Sequence, residues 1–477
     1  MTQSRTVIVV GSGIAGLSAA LSARQAGAEV VVIERARRDE AGGNTRYTEA
    51  YLRMKSIDEV ADDFIDALTS DFMGYPDPSL VIETLADRAS WAGPVATLNI
   101  VDHAYVETLA ARAGDTLRWL ERAGVRFEAL PTAFPTTSTT RLMPVGGGLA
   151  LVEALTAACE EAGVDFRYET TARRLRLAGG AVIGLEAVGP EGAIDLAGPV
   201  ILACGGFEGS HEMQARYYGD KALFCRPVAR GGHYNKGEGI DMALAVGAEG
   251  AGNFGLFHSE PVDPRSGLAE PAIFSFPYGI LVDVDGRRFT DEAPGSVDAF
   301  YERITRKIHH LERGIAFLVL DQAAADLPNL RIGLRTDQPA IVAPTLAALA
   351  AQLEIPAASL EATVAAFNAA CRPGAFDPTQ PDALATIGLE PAKSNWARPL
   401  VERPFHAYPI IAANVFSYGG LRTDESARVL DTDGRVIEDL YAAGEMTGLY
   451  YTNYTGSTSV LRGAVFGRLG GQAASQR

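Results

Sequence analysis

Val7-Ile8-Val9-Val10-Gly11-Ser12-Gly13-Ile14-Ala15-Gly16 decides the fold of this chain. Four consecutive β-branched residues read as a strand buried on both faces. A Gly-rich turn follows, then apolar residues at helical spacing from Ile14 to Ala26, closed by Gly27; Glu29 to Ile33 reads as a second strand ending at Glu34. Strand, helix and strand of these lengths make a parallel βαβ unit. The glycines have separate tasks: Gly11 makes the tight turn, Gly13 lets a pyrophosphate approach the N–H groups that Ile14 and Ala15 carry at the helix start, and Gly16 allows close helix-to-strand packing. Glu34, with Arg35 beside it, closes the second strand where an acid accepts hydrogen bonds from ribose hydroxyls. The unit predicts a dinucleotide site.

Further along, FAD is favoured over NAD. The loop Gly42-Gly43-Asn44-Thr45-Arg46 is small and carries amide and hydroxyl groups, suited to lie against a pyrophosphate and an isoalloxazine ring. Gly146 to Gly148 open an amphipathic helix, Leu149 to Glu161, and Pro199 to Ala203 runs as a strand into Cys204-Gly205-Gly206-Phe207, where backbone can approach a ligand. Leu440 to Gly444 is a strand ending in Gly444-Glu445, an acid placed for ribityl hydroxyls. The helix from Ser459 and Val460 can aim its positive end at the flavin N1/C2=O edge.

The 477 residues are enough for two or three domains, and 47% hydrophobic with 21% charged residues is ordinary for a water-soluble protein. No apolar run approaches the length of a membrane span, and Met1 to Arg5 leave no room for a secretion signal, so a cytoplasmic location without stable membrane insertion is expected. A formal charge of −17 argues against nucleic acid as a partner. Cys159, Cys204, Cys225 and Cys371 have no metal-ligand spacing, and no metal is expected. The reading is an α/β protein. A Rossmann-like FAD-binding domain, discontinuous over 1–236 (with a helical insertion at about 55–130 around Trp91, Trp119 and Leu120) and 374–477, carries an inserted α+β capping domain at 237–373. Short strands are expected at Phe166 to Tyr168, Arg173 to Leu177 and Ala181 to Ala187, and helix at Thr345 to Ala370.

Taken together, GSGIAG, Glu34, GGNTR, the ACGGF run and the closing GEMTG with FGRLGG resemble the flavoprotein family of fumarate reductase and succinate dehydrogenase. Within it, GGNTRYTEAYLR and NYTGSTSVLRGAVFGRLGG are most similar to the tricarballylate dehydrogenase branch. The resemblance implies a cap over the flavin and a substrate trapped beneath it. Gly286-Arg287-Arg288-Phe289-Thr290-Asp291-Glu292 resembles the family's G-x-R-F-x-x-E, implying that Arg288 moves the substrate proton and that Glu292 lies near its path. His258 stands where the family keeps a His for a substrate carboxylate. A hydride leaving to flavin N5 needs a base for the neighbouring proton, and an arginine serves only with a carboxylate relay. The GGNTRYT loop has no His for covalent flavin attachment, so FAD is expected to be held non-covalently.

Two positions depart from the family. Where it keeps a His before the T-M-G-G turn and an Arg near the last helix, this chain has Phe416 and Tyr454. Both charges are lost, and a C4 dicarboxylate should bind poorly. Tyr454-Thr-Gly also resembles the Tyr-Pro-Gly of 3-ketosteroid dehydrogenases, where a Tyr hydroxyl polarises a ketone, which keeps an enone substrate open beside a small (poly)carboxylic acid. His233, Arg46, Arg53 and Arg141 are further cations that could face the pocket, each expected to be solvent-facing or structural. With no second nucleotide fingerprint and no cysteine pair, a monooxygenase or disulfide reductase is disfavoured. Electrons are expected to pass through a separate carrier or oxygen.

Overall fold

The computed structural model describes residues 5–72, 103–129, 141–328 and 330–476. Trp91 and the middle of the expected helical insertion lie outside them; its described parts include the helices Phe64–Phe72 and His103–Arg122. Thr6–Val10 is an inner strand of a six-stranded sheet in the order Arg428–Leu430, Val436–Ala442, Val200–Leu202, Thr6–Val10, Glu29–Ile33, Asp165–Arg167. Every neighbouring pair is parallel except the first. The absence of polar alternation in Val7 to Val10 has its cause here. Val7 and Val9 face one hydrophobic core and Ile8 and Val10 the other, so both faces of the strand are covered.

Phe166 joins the edge of this sheet through Asp165–Arg167, whereas the other strands expected nearby form an antiparallel sheet of Thr171–Ala178, Ala181–Gly189 and Gly192–Ala197. A second main sheet is built around the long strand Phe405–Ser417. It pairs in parallel with Cys225–Pro227 and antiparallel with Phe257–Val262, Ile315–Leu320 and Ile341–Ala343. Two of these strands thus lie on either side of the 237–373 stretch, and Ile240, Met242 and Ala243 of the helix Glu238–Leu244 pack into the nucleotide-domain core. Val297–His310 and its neighbours pack around one core of this sheet; Leu346–Leu353 and Ala357–Ala370, interrupted at Pro356, pack around another. No helix among the described residues is long and apolar enough to cross a membrane.

The closing helix Ser459–Ser475 lies against Ile14–Gln25, and glycines set the distance. Gly463, Gly467 and Gly471 recur every fourth residue on one face; a Cβ at Gly467 would strike the carbonyl of Ala15, and one at Gly471 that of Ala19. The FGRLGG motif is therefore a packing surface that draws the last helix onto the first. Gly467→Ala should cost about 1–3 kcal/mol in urea unfolding through overpacking; an unchanged midpoint would show that the two helices have slack.

Candidate active site

The Gly-rich turn, the loop from Gly43 and the N-terminus of the last helix line one large cleft with an empty volume of about 1260 Å³. Of the residues expected at the cofactor, Gly11, Gly13, Ile14, Ala15, Glu34, Arg35, Asn44, Thr45, Gly43, Ala203, Gly205, Gly444, Glu445, Ser459 and Val460 line it. Gly16, Gly42, Gly148 and Gly206 do not. They act a layer behind: a Cβ at Gly16 would collide with the Gly11 carbonyl, at Gly148 with that of Thr45, and at Gly206 with Ser417 and Glu445, while Gly42 takes a left-handed φ of 115° against Val152. Thr170, Tyr234, Glu238, Met242 and Arg462 also line the cleft and carry no signal in the sequence pattern, and Phe416, singled out there as a departure from the family, lines it too.

The cleft suits FAD on its own geometry. Gly11 sits at φ 99° and Gly13 brings no side chain of its own to the helix start; of the two N–H groups expected to serve a pyrophosphate, that of Ile14 is taken by Thr45 and that of Ala15 is left. Glu34 does more than wait for a ribose. Its Oε2 accepts from Ser12 N at 2.9 Å and Ser12 Oγ at 2.6 Å, and its Oε1 from Ala36 N at 2.8 Å, so it also pins the turn. Thr45 Oγ1 accepts from Ile14 N at 3.1 Å, which folds the GGNTR loop back onto the helix start. Behind it, Glu208 takes amide protons from Asn44 and Asn235 and lies against Glu445. Burial, then the charge of Glu445, pushes the Glu208 carboxyl well above the usual range, and burial raises Glu445 as well. Arg462, 1% exposed, donates to Thr447 O at 3.0 Å and lies 4.9 Å from the Tyr450 ring, a fixed positive charge on the cleft wall. His233 and Arg46 do not line it.

Phe416, on the cleft wall, leads to a buried polar cluster beneath the second sheet. His258 pairs with it across the strands, their rings 5.1 Å apart, and the Tyr454 ring lies 4.4 Å from the imidazole. His258 Nδ1 meets Glu302 Oε2 at 3.0 Å and Nε2 meets the Tyr301 hydroxyl at 3.2 Å. Glu302 is the hub: it also accepts from the Tyr418 hydroxyl, from Arg306, and from Tyr454 N at 3.3 Å. Burial works to raise its carboxyl, but His258, Arg306 and Tyr418 outweigh it and hold Glu302 below the usual carboxylate range. The Tyr454 hydroxyl accepts from Thr458 N at 3.1 Å and Ser459 N at 3.2 Å and meets Ser459 Oγ at 3.0 Å, at the N-terminus of the last helix. Nearby, Arg141 donates to Gly456 O at 3.1 Å and Ser457 Oγ at 2.6 Å and interacts with Tyr454 and Tyr301; Arg53 is paired with Asp63.

Arg288 and Glu292, which the resemblance assigns to proton transfer, stand apart from the His258 cluster. Arg288 is neither on the cleft nor in the His258 cluster. Its Nε and Nη2 close on Glu292 at 2.9 and 2.6 Å, Nη1 donates to Pro391 O at 2.7 Å, Nη2 also reaches Thr290 O at 3.2 Å, and the guanidinium carbon lies 5.3 Å from the Phe367 ring. Glu292 takes a further bond from Leu281 N at 2.9 Å. Every polar partner is internal to the second sheet's surroundings, so the pair fastens the loop at Pro391 to the turn at Gly286. None of the four residues expected to be catalytic lines the cleft; the structure brings His258 and Tyr454 together behind Phe416 and separates Arg288 and Glu292 from them.

The FAD binding domain family matches residues 6–461. Among curated proteins, the chain is 27% identical to the NADH:acrylate oxidoreductase of Vibrio harveyi over 98% of this chain and 50% of that one. It is 26% identical to the vinyl phenol reductase of Lactiplantibacillus plantarum over 99% and 97%. The chain thus spans half of the first relative and nearly all of the second. The open conformation of a flavocytochrome c3 fumarate reductase superposes with a TM-score of 0.77 at 22% identity, covering 100% of this chain and 78% of that one.

Because Glu302 is depressed in the folded state, the stability it contributes is present above the unfolded carboxylate range and is lost as pH falls through its folded value. Glu302→Gln should cost about 3–5 kcal/mol at neutral pH in denaturant unfolding, and the loss relative to the parent should shrink in acid; a pH-independent difference would contradict an ionised Glu302.

Proposed function

The chain belongs to the FAD binding domain family, and on that premise we propose that it is an oxidoreductase moving a hydride to or from a C–C bond conjugated to a carbonyl or an aromatic ring. The observation that carries this reading is the cluster of His258, Tyr301, Phe416 and Tyr454, rings within 4.4–5.8 Å of the imidazole, next to the cleft wall. FAD supplies the two-electron chemistry, giving or taking a hydride.

The chain's own residues do the rest. Phe416 and the Tyr454 ring offer apolar faces to a flat substrate and exclude water. With two backbone N–H groups already donating to it, the Tyr454 oxygen has its own proton left to give, to Ser459 Oγ or to a substrate oxygen on which charge develops. The Tyr301 hydroxyl, paired with His258 Nε2, is placed to carry the proton exchanged with the second carbon, and Glu302 on Nδ1 holds the imidazole in one orientation.

This favours a flat, conjugated substrate over a tricarballylate-like polyacid. A desolvated tricarboxylate asks for several charged partners, whereas Phe416 and Tyr454 are neutral and Arg288 is engaged inside the cap. Acrylate and vinyl phenol, for which the two relatives are named, are likewise conjugated alkenes. Arg141, beside Tyr454 and Tyr301, is compatible with one carboxylate on the substrate. A separate electron carrier or oxygen closes the cycle.

The test is anaerobic: holoprotein with reduced flavin is mixed with enones, vinyl arenes, cinnamate-like monoacids and aconitate-like polyacids, and flavin reoxidation is followed by absorbance. Enones, vinyl arenes or monoacids should reoxidise the flavin; a response confined to aconitate-like acids would overturn the reading. Tyr454→Phe should lower kcat about 100-fold. Arg288→Met should instead cost about 3–5 kcal/mol of stability, by leaving Glu292 buried without its partner, while the folded fraction keeps its turnover. Loss of turnover in folded Arg288→Met would restore that arginine to the chemistry.

A further inference from the structure

Behind His258 a second set of carboxyls runs toward the surface. Glu260 leaves the same strand, and its Oε1 lies 3.9 Å from His258 Nε2, the nitrogen that meets the Tyr301 hydroxyl at 3.2 Å. Glu260 is 7% exposed, and its Oε2 has no hydrogen-bond donor in the described structure. What lies against this carboxyl is another one. Glu270, set in a left-handed conformation at φ 52° with its N–H on Val228 O at 3.1 Å, interacts with Glu260. Two buried carboxyls set against each other favour a state in which one carries a proton.

The outer end of the set is open to water. Arg335 faces both carboxyls and is itself closed at 2.8 Å on Glu49, which is 37% exposed and comes from the nucleotide domain; Tyr51 stands beside them. Burial, then Glu270, holds the Glu260 carboxyl well above its usual range, and burial, opposed by Arg335, pushes Glu270 up to about 7. The charged and titratable groups facing the pair are thus Arg335, Glu49, Tyr51 and, on the inner side, His258 and Tyr301.

We propose that Glu260 and Glu270 form the proton port of this enzyme, exchanging between solvent and the Tyr301–His258 pair the proton that the substrate carbon gains or loses. The proposal rests on the C–C oxidoreductase reading. In the reducing direction, a hydride from reduced FAD makes one C–H bond and the Tyr301 proton makes the other as the C=C π bond breaks. Tyr301 recovers its proton from Glu260 by way of His258, Glu270 passes its own inward, and water restores it. Dehydrogenation runs the same path outward. The port gives Glu260 and Glu270 the proton route that the resemblance assigns to Arg288 and Glu292.

The test compares Glu260→Gln and Glu270→Gln with the parent, as FAD-loaded protein. Reduction should fall as pH rises through about 7, where Glu270 ionises, and dehydrogenation should rise over the same interval. Glu260→Gln should lower kcat about 100-fold with KM little changed and enlarge the solvent deuterium isotope effect. Glu270→Gln should erase the pH limb, and added formate should restore part of its rate. Infrared spectra of the parent should contain a protonated-carboxyl band that titrates near neutral pH and is absent from Glu270→Gln. Parental rates and pH profiles in both variants, or no titrating carboxyl band in the parent, would overturn the port. Failure of the parent to act on any C–C substrate would instead overturn the reading beneath it.

Discussion

One buried negative charge ties the second sheet to the loop before the closing helix. Glu302 rises from the helix Val297–His310 and accepts hydrogen bonds from His258 on one strand, Tyr418 just past another, the backbone of Tyr454 in the loop before the last helix, and Arg306 one turn along its own helix. A carboxylate at 5% exposure survives only because these donors together exceed its desolvation. Their positions follow from that requirement: the imidazole is oriented, and the Tyr454 loop is held where its hydroxyl meets the start of the helix. The same helix is drawn onto Ile14–Gln25 by its glycines, so the His258 cluster and the cleft share one element.

The nucleotide half was legible in the sequence because backbone geometry enforces it. A turn that packs Gly16 onto the Gly11 carbonyl, and a helix start that faces a cleft, tolerate few alternatives, and the resulting spacing is local. Glu34 lines the cleft at the place its spacing indicates, and its bonds to Ser12 and Ala36 pin the turn in a way that spacing alone does not announce. Less of the cap was visible. The second sheet is held together by Phe405–Ser417, which pairs with strands as distant as Cys225–Pro227, and no local pattern encodes such pairing.

The site itself shows where motif reasoning stops. Gly286 to Glu292 keeps the residue types of a proton-moving motif, yet the Arg288 guanidinium turns inward to Glu292 and the Pro391 carbonyl. Residue types alone do not fix the direction in which a side chain points. Conversely, Glu302, Tyr301 and Tyr418 carry no sequence signal, since a Tyr-Glu pair on an amphipathic helix reads as a half-buried face; only His258 and Tyr454, already singled out, pointed toward them. Arg462 escaped for a similar reason: a charged residue among glycines on the closing helix gives no hint that it is 1% exposed and lines the cleft.

A structure of the FAD complex with a slow conjugated substrate tests the central claim most directly. The account predicts the substrate's reacting carbons between the flavin and the His258–Tyr301–Tyr454 cluster, with the Arg288 guanidinium still closed on Glu292. An Arg288 side chain swung out over the ring, with the His258–Glu302 contact broken, would contradict it.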